Sequence, residues 1–246
     1  MSYSVKEIYL TLQGEGFHTG KHAVFCRFSG CNLWTGLEKD REKAICNFCD
    51  TDFVGTDGIN GAKYSSAEQL ASKIDELWQK DSQEKFVVFT GGEPMLKNTQ
   101  PAMMGVLEEF QKRENMPNYV TVETNGTKPI TQELADYIAW FTYDGTREWY
   151  WSLSPKLWAT AGEQPKKAIK PEVIGRYAEV SPHGQLKYVV NGTDESWREV
   201  EENTRMFRDA GCDFPVWIMG VGGTFEGLVQ TEASIADEAI RRGYYY

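Results

Sequence analysis

The chain has few histidines, few cysteines and no long apolar run. Its 246 residues include three His and five Cys, and the absence of about 20 consecutive apolar residues argues against a membrane span. No charged and apolar leader precedes Ser2, so we expect a cytoplasmic protein with reduced cysteines. Acidic residues outnumber basic ones by 36 to 26, for a net charge of −10. Because phosphate contacts need Lys and Arg clustered on one face, this balance argues against direct nucleic-acid binding.

Three of the five cysteines are grouped in one segment. Cys31 is followed, after a gap of fourteen residues, by the Cys-x-x-Cys pair of Cys46 and Cys49. An odd number of clustered thiols argues against a disulfide, and a structural zinc site needs a fourth ligand for which three histidines offer few candidates. A four-iron cluster held by three thiolates would instead leave one iron open to an outside ligand. The cysteines alone leave zinc and iron–sulfur as alternatives.

A glycine-rich turn follows a predicted buried strand. The apolar run 86–89 leads into Thr90-Gly91-Gly92-Glu93-Pro94. Glycine lets a small polar ligand approach main-chain groups, and the Glu93 carboxylate is suited to an ammonium group. As an isolated pentapeptide this is more often an ordinary strand-to-helix turn. Beside the three cysteines, it favours the iron–sulfur interpretation.

Together, the two motifs give a resemblance to the radical S-adenosylmethionine enzymes. In these enzymes three cysteines hold a [4Fe–4S] cluster and a Gly-Gly-Glu-Pro-like segment binds the methionine amino group, although the usual spacing is Cys-x3-Cys-x2-Cys. A narrower resemblance accommodates the longer gap, because the chain looks like 7-carboxy-7-deazaguanine synthase, some members of which have it. The segments that resemble that family are Leu12 to Gly16, Arg27 to Cys31, Cys49 to Thr51, Thr90 to Pro94, Val122 to Thr127 and Leu153 to Lys156.

The resemblance implies a role for each residue of the site. The implied substrate-binding residues are Leu12, Gln13, Gly14, Arg27 and Thr90. The implied S-adenosylmethionine-binding residues are Phe48, Cys49, Asp50, Gly92, Glu93, Glu123, Ser154 and Lys156. The implied metal ligands are Cys31, Cys46 and Cys49 for the [4Fe–4S] cluster and Thr51 for Mg2+. The residues alone leave alternatives open, since Arg27 either faces water or forms a paired charge, and Asp50 and Thr51 are also suited to capping a helix.

The implied reaction is a radical ring contraction of 6-carboxy-5,6,7,8-tetrahydropterin to 7-carboxy-7-deazaguanine, with loss of ammonia. This product is a precursor of queuosine and related 7-deazapurines. The resemblance further implies a homodimer and an electron donor such as flavodoxin or ferredoxin. Three alternatives are a glycyl-radical activase, a zinc-binding interaction module without enzymatic activity, and an enzyme that modifies tRNA directly.

Alternating strand and helix patterns predict a parallel α/β sheet. The strands are predicted near 8–10, 23–28, 86–89, 119–122, 149–153, 186–190 and 216–219, and the helices near 100–113, 131–139, 195–210 and 232–241. About six β–α units are fewer than the eight of a closed barrel. We therefore expect an open partial (β/α)6 barrel as a single domain over residues 1–246. The resemblance implies that this barrel is of the radical S-adenosylmethionine type, with a modified cluster-binding loop.

Four local expectations complete the prediction. A capping box, Ser65-x-x-Glu68, predicts a helix through about Lys80. The segments 52–64 and 159–178 are predicted as inserted loops, being rich in Gly and in Pro and Lys respectively. No cofactor contact is assigned to Met219 to Gly223, where the family commonly has a Gln-Pro pair. Gly243 to Tyr246 predicts the start of a final strand.

Overall fold

The computed structural model describes residues 2–78, 84–162, 164–222 and 225–246, without the side chains of 225–231. Within them, the strands are β1 (Tyr3–Leu12), β2 (His22–Phe28), β3 (Ala62–Tyr64), β4 (Phe86–Gly91), β5 (Tyr119–Thr124), β6 (Glu148–Leu153), β7 (Gly184–Val190) and β8 (Val216–Gly220). The helices are α1 (Ala67–Leu77), α2 (Gln100–Lys112), α3 (Gln132–Phe141), α4 (Trp158–Ala161), α5 (Pro165–Ala168), α6 (Pro171–Val180), α7 (Asp194–Asp209) and α8 (Phe225–Arg241). Two 3-10 turns span Gly16–His18 and Glu38–Lys43.

All of these strands belong to one sheet in the order β3-β1-β2-β4-β5-β6-β7-β8. From β2 through β4 to β8, neighbouring strands pair in parallel, whereas β1 and β3 are antiparallel additions at one side. Because β3 and β8 lie at opposite edges, the sheet is open. The prediction of an open α/β architecture with about six parallel strands is confirmed.

The sheet has a helix-covered face and an inner face. On β2, Val24, Cys26 and Phe28 pack into the main apolar core together with the helices. The alternate residues of the same strand, Phe25 and Arg27, lie on the inner face, as the two-residue period of a strand requires. Near the amino ends of β2 and β4, the inner face carries a small apolar cluster of Ala23, Phe25, Phe86 and Val88. Polar residues follow toward the carboxyl ends of the parallel strands. Because the described helices cover only the other face, the polar end of the inner face is available for a functional site.

Three local predictions are wrong, and the first concerns the segment 52–64, which ends in strand β3 (Ala62–Tyr64) instead of being a loop throughout. Helix α1 is capped by Ser66, whose Oγ accepts a hydrogen bond from the Gln69 N–H (3.2 Å), so the predicted capping box lies one residue too early. The helix ends at Leu77, and Lys80 lies outside the described residues. The segment 159–178 contains most of α4, all of α5 and most of α6 instead of a loop. Pro165 and Pro171 each occupy a first helical position, where the missing N–H costs nothing.

The residue Tyr245 extends the sheet beside β8. Its N–H donates to Val216 O (3.0 Å), its carbonyl accepts from the Ile218 N–H (2.9 Å), and its ring stacks on Trp217 with centroids 4.8 Å apart. The strand predicted at 243–246 is therefore an isolated bridge. Within residues 2–78, 84–162, 164–222 and 225–246, no helix combines the length and hydrophobicity needed to cross a bilayer.

Candidate active site

One cavity of about 560 Å³ brings together every residue predicted for the site except Glu93. It opens on the inner face, and residues from β1, β2 and β4 to β8 contribute to its wall. The predicted residues that line it are Leu12, Gln13, Gly14, Arg27, Cys31, Cys46, Phe48, Cys49, Asp50, Thr51, Thr90, Gly92, Glu123, Ser154 and Lys156. Segments far apart in sequence therefore converge because parallel strands present their carboxyl ends at one rim.

The long segment between Cys31 and Cys46 folds back onto the Cys-x-x-Cys turn. Arg41, in the second 3-10 turn, donates from Nη1 to the carbonyls of Asn47 (2.7 Å) and Cys49 (3.0 Å). Its guanidinium also lies 4.3 Å from the ring centre of Trp34, which is buried beside the cavity. The modified cluster-binding loop is thus held in shape by its own inserted residues.

The donor chemistry of this loop fits an iron–sulfur cluster. Cys31, Cys46 and Cys49 carry free thiols and all line the cavity. The hydrogen bond between Cys46 and Cys49 lowers the pKa of the Cys49 thiol and raises that of Cys46, and the charge of Lys156 also favours the Cys49 thiolate. A thiolate is the form that binds metal. In the part of the chain that the structure describes, no group of three or more His, Cys, Asp or Glu side chains, these cysteines included, is placed so that it could hold a metal ion.

The Gly-Gly turn packs directly against the first cysteine. The Glu93 N–H donates to Gly30 O (3.0 Å). A Cβ on Gly92 would lie 2.4 Å from Gly30 O and 2.6 Å from the Cys31 Cβ, and a Cβ on Gly91, whose φ is +156°, would lie 2.4 Å from Phe28 O. Glycine is therefore required here for the approach of two chain segments, so this turn sets the position of Cys31.

The Glu93 side chain does not line the cavity. It is fully buried and accepts hydrogen bonds from Thr124 Oγ1 (2.6 Å), the Asn125 N–H (2.8 Å) and the Met95 N–H (2.8 Å). Burial raises the pKa of Glu93, while these three donors act in the opposite direction. The carboxylate ties the end of β4 to the end of β5. A direct contact of Glu93 with a cofactor stays a prediction.

Polar residues form a connected row across the inner face. Thr90 Oγ1 donates to one oxygen of Glu123 (2.9 Å), and Gln13 Nε2 donates to the other (3.1 Å). Arg27 lies beside Thr90 in the register of β2 and β4. The substrate-binding prediction thus places residues from β2, β4 and the segment after β1 around the Glu123 carboxylate.

Arg27 is a paired charge on the inner face. Its Nε donates to Glu7 (2.8 Å) and its Nη2 to the Tyr9 hydroxyl (3.1 Å). Burial lowers the pKa of Arg27, but the Glu7 and Tyr9 contacts outweigh it and the pKa is raised. The residue keeps its charge, and the alternative in which it faces water is wrong.

The part of the cavity wall predicted to bind the cofactor combines an ammonium group, a hydroxyl and an aromatic ring. Lys156 Nζ donates to Ser154 Oγ (3.0 Å) and lies 5.8 Å from the ring centre of Phe48. Asp50 and Thr51 line this cavity and also a second, more open one of about 630 Å³. No helix begins at these two residues in the described structure, so the helix-capping alternative for them is wrong.

Sequence reasoning missed the contribution of β7 and β8. Lys187 and Val189 line the cavity, with Gln185 one step below them on the same face of β7. These residues are spaced by two within a predicted strand, and this spacing indicates that their side chains face the same side of the sheet. Residues 219–222, to which no contact was assigned, also line the cavity, and Gly223 lies outside the described residues.

Comparisons with known proteins identify the family. No protein-family model matches the chain. The chain is 39% identical over 222 residues to the 7-carboxy-7-deazaguanine synthase of Burkholderia multivorans, a match that covers 88% of this chain and 94% of that protein. This chain belongs to the 7-carboxy-7-deazaguanine synthase family. The Nitratidesulfovibrio vulgaris member is 42% identical over 180 residues, covering 70% of this chain and 76% of that protein.

Two further matches agree with membership of the 7-carboxy-7-deazaguanine synthase family. The Caulobacter vibrioides member is 56% identical over 128 residues, covering 52% of this chain and 57% of that protein. The crystal structure of QueE from Escherichia coli superposes with a TM-score of 0.60 at 19% identity, covering all of this chain and 92% of that one, which supports the fold. The resemblance to radical S-adenosylmethionine enzymes is confirmed, and the chain is a lyase of that class. The activase and zinc-module alternatives are not favoured.

Proposed function

We propose that this chain converts 6-carboxy-5,6,7,8-tetrahydropterin into 7-carboxy-7-deazaguanine and ammonia. The observation that carries the proposal is that three free thiols and the polar row of Arg27, Thr90 and Glu123 line the same cavity. A cavity of about 560 Å³ lies within the range of small-molecule sites. The supporting relatives bear the name of this activity.

In this proposal Cys31, Cys46 and Cys49 hold a [4Fe–4S] cluster. When bound, the cluster would supply the electron for reductive cleavage of S-adenosylmethionine, and this would provide the radical chemistry that removes a hydrogen atom from the pterin. Arg41 holds the Cys-x-x-Cys turn by its bonds to main-chain carbonyls, and the Gly-Gly turn sets the position of Cys31. The protein thereby orients the cluster ligands toward the cavity.

S-adenosylmethionine binding is assigned to the residues between the cluster loop and β6. Lys156 and Ser154 offer an ammonium group and a hydroxyl for its carboxylate and ribose, and the Phe48 ring offers a face for its adenine. The main-chain polar groups of Gly92 are assigned to the amino group of S-adenosylmethionine. The other residues assigned to this cofactor are Cys49, Asp50, Glu93 and Glu123. Side chains from four different segments would therefore surround one cofactor.

The pterin is assigned to the inner-face row. Arg27 donates from Nε to Glu7 and from Nη2 to Tyr9. Among the described contacts Nη1 has no partner, so we assign it to a substrate carboxylate. The Gln13 amide and the Thr90 hydroxyl supply donors and acceptors for a planar heterocycle. Leu12 and Gly14 complete this part of the wall.

A magnesium ion is assigned to Thr51. Mg2+ keeps most of its coordination for water and ligand oxygens, so one protein hydroxyl suffices when a substrate carboxylate supplies another oxygen. Thr51 lies in the wall that the main cavity shares with the second one, next to Asp50 and near Arg27. The site is thus on the carboxylate side of the assigned pterin position.

Four further assignments belong to this proposal. Residues 1–246 form one domain, two copies form a homodimer, and a flavodoxin or ferredoxin donates the electron. The cytoplasm is the assigned location, supported by five free cysteines in the structure.

The test is anaerobic reconstitution with iron and sulfide, followed by dithionite, S-adenosylmethionine, Mg2+ and the tetrahydropterin, with products read by mass spectrometry. Cys31→Ala should abolish product, whereas Cys212→Ala is a matched control because Cys212 is buried outside the cavity. Formation of 7-carboxy-7-deazaguanine by the wild type and the control supports the proposal. Deoxyadenosine without deazaguanine would assign a different substrate, and a colourless zinc-loaded protein that makes neither would overturn the enzyme assignment.

A further inference from the structure

The segment that follows β1 depends on contacts with distant strands. Gln13, Gly14 and Glu15 line the cavity and form an irregular connection between β1, which ends at Leu12, and the first 3-10 turn. Main-chain bonds from Gln13 N to Lys21 O and from Gly20 N to Gln13 O, each 2.8 Å, close its base. These local bonds shape the segment but leave its position over the sheet to other contacts.

Gln185, on the inner face of β7, holds this segment from below. Its Oε1 accepts from the Phe17 N–H (3.0 Å) and lies 3.3 Å from the donating Tyr150 hydroxyl. Its Nε2 donates to Ser152 Oγ (3.0 Å). The side chain is 3% exposed and does not line the cavity itself, whereas Ser152 does. One buried amide therefore connects the 3-10 turn Gly16–His18, which directly follows the segment, to both β6 and β7.

The contact is close on both sides. A Cβ placed on Gly16 would lie 2.2 Å from Gln185 Nε2 and 2.4 Å from its Oε1, and Gly16 has a φ of +69°. Only a glycine fits both the left-handed backbone and the space above the amide. Steric contact between Gly16 and the Gln185 amide prevents the segment from moving closer to the sheet. The hydrogen bond from the Phe17 N–H prevents it from moving away.

A second contact from β7 reaches the same segment. Lys187, two residues beyond Gln185, forms an ion pair with Glu15. Burial lowers the pKa of Lys187, but Glu123 and Glu15 outweigh it and the pKa is raised, so the ammonium charge is retained. Glu15 N also donates to Gln13 Oε1 (3.2 Å), and Gln13 in turn donates to Glu123. The inner face of β7 is thus coupled to the residues assigned to the pterin.

We propose that Gln185 is a positioning residue for substrate binding, which sets the height of the Gln13 to Glu15 segment over the cavity through its bond to Phe17. This inference rests on the proposed function, since it names the pterin as the ligand. Loss of the amide leaves the Phe17 N–H and the Tyr150 hydroxyl without their buried acceptor. Apart from Glu123, which Gln13 contacts, the residues assigned to S-adenosylmethionine have no described hydrogen bond to the Gln13 to Glu15 segment, so its binding should depend little on Gln185.

The test compares Gln185→Leu with Gln185→Glu. The leucine variant removes the acceptor, whereas the glutamate variant keeps an oxygen for Phe17 and Tyr150 and lets the Ser152 hydroxyl donate. Gln100→Leu is the matched control, because Gln100 is a buried glutamine (1% exposed) with three hydrogen bonds on the helix-covered side. Binding of the tetrahydropterin and of S-adenosylmethionine to each reconstituted protein is measured separately by anaerobic calorimetry.

We expect Gln185→Leu to weaken pterin binding about tenfold, with S-adenosylmethionine affinity within about twofold of wild type. Gln185→Glu should recover most of the pterin affinity, and Gln100→Leu should bind pterin like wild type. Equal pterin affinity in Gln185→Leu and wild type, or equal losses in Gln185→Leu and Gln100→Leu, would overturn the inference. A wild type that binds no pterin would instead contradict the proposed function. If the leucine variant does not fold, Gln185→Asn shortens the amide by one methylene and carries the same test.

Discussion

Replacing Gly92 by alanine should damage cluster binding before it damages the fold. The added methyl would lie 2.4 Å from Gly30 O and 2.6 Å from the Cys31 Cβ, whereas ordinary contacts begin at 3.4 Å. The first cysteine must therefore move by about 1 Å relative to the Gly-Gly turn. Overpacking of this size costs about 1–3 kcal/mol, which a domain of ordinary stability survives.

The displacement moves Cys31 but not the Cys-x-x-Cys turn, which Arg41 holds separately. We expect Gly92→Ala to retain less than half of the wild-type iron and sulfide after reconstitution, measured chemically and by the visible absorption of the cluster. The control is Gly105→Ala, which places the same methyl 2.9 Å from the Ala67 Cβ at the packing of α1 on α2, remote from the cysteines. It should change the melting temperature and leave cluster content unaltered.

Two results would refute this reasoning. Gly92→Ala with full cluster content and unchanged S-adenosylmethionine affinity would show that the close approach to Cys31 has no consequence. Full cluster content with lost S-adenosylmethionine affinity would show that Gly92 serves the cofactor directly and that its packing against Cys31 is incidental.

Three other predictions concern the inner face. Arg27→Lys should raise the KM for the pterin about tenfold and change kcat less, because an ammonium cannot serve Glu7, Tyr9 and a carboxylate as a guanidinium does; an unchanged KM would contradict the carboxylate assignment. Thr51→Val should raise the Mg2+ concentration for half-maximal activity about tenfold in a metal titration, and an unaltered curve would remove Thr51 as a ligand. Glu148 Oε1 lies 3.1 Å from His18 Nε2. This close contact lowers the pKa of the Glu148 carboxyl, so it stabilises the fold above the unfolded-state pKa, and the stabilisation is lost as pH falls through the lower folded-state value. In urea unfolding, Glu148→Gln should cost about 1 kcal/mol near pH 7 and less near pH 3, and an equal cost at both would show that the charge is unimportant.

The strands could be predicted because their signals are local. The runs at 86–89 and 149–153 are short, apolar and β-branched or aromatic, and β4 and β6 occupy those positions. The site residues could be predicted because they follow such strands. The sequence pattern does not predict helices α5 and α6, because Pro and Lys are typical of loops, although Pro165 and Pro171 begin helices in this fold.

The remaining features depend on partners that sequence patterns do not reveal. Gln185 contacts Phe17 across 168 positions of sequence, and Arg27 contacts Glu7 across 20. The inserted residues before Cys46 show no strong period, yet Arg41 organises them through bonds to main-chain carbonyls. Such contacts appear only when the sheet order is known, because the order decides which inner-face residues become neighbours.

The two edges of the open sheet bear on the solubility of the molecule at high concentration. An exposed edge strand offers unpaired N–H and C=O groups to the edge of another molecule. At one edge, β3 is only three residues long and carries the exposed Lys63 at its centre. At the other, Tyr245 occupies the Ile218 N–H and the Val216 carbonyl of β8. The short length and lysine charge of β3, and the main-chain bridge beside β8, each disfavour strand pairing between molecules. Although the barrel is not closed, both edges of the sheet are therefore protected against edge-to-edge association.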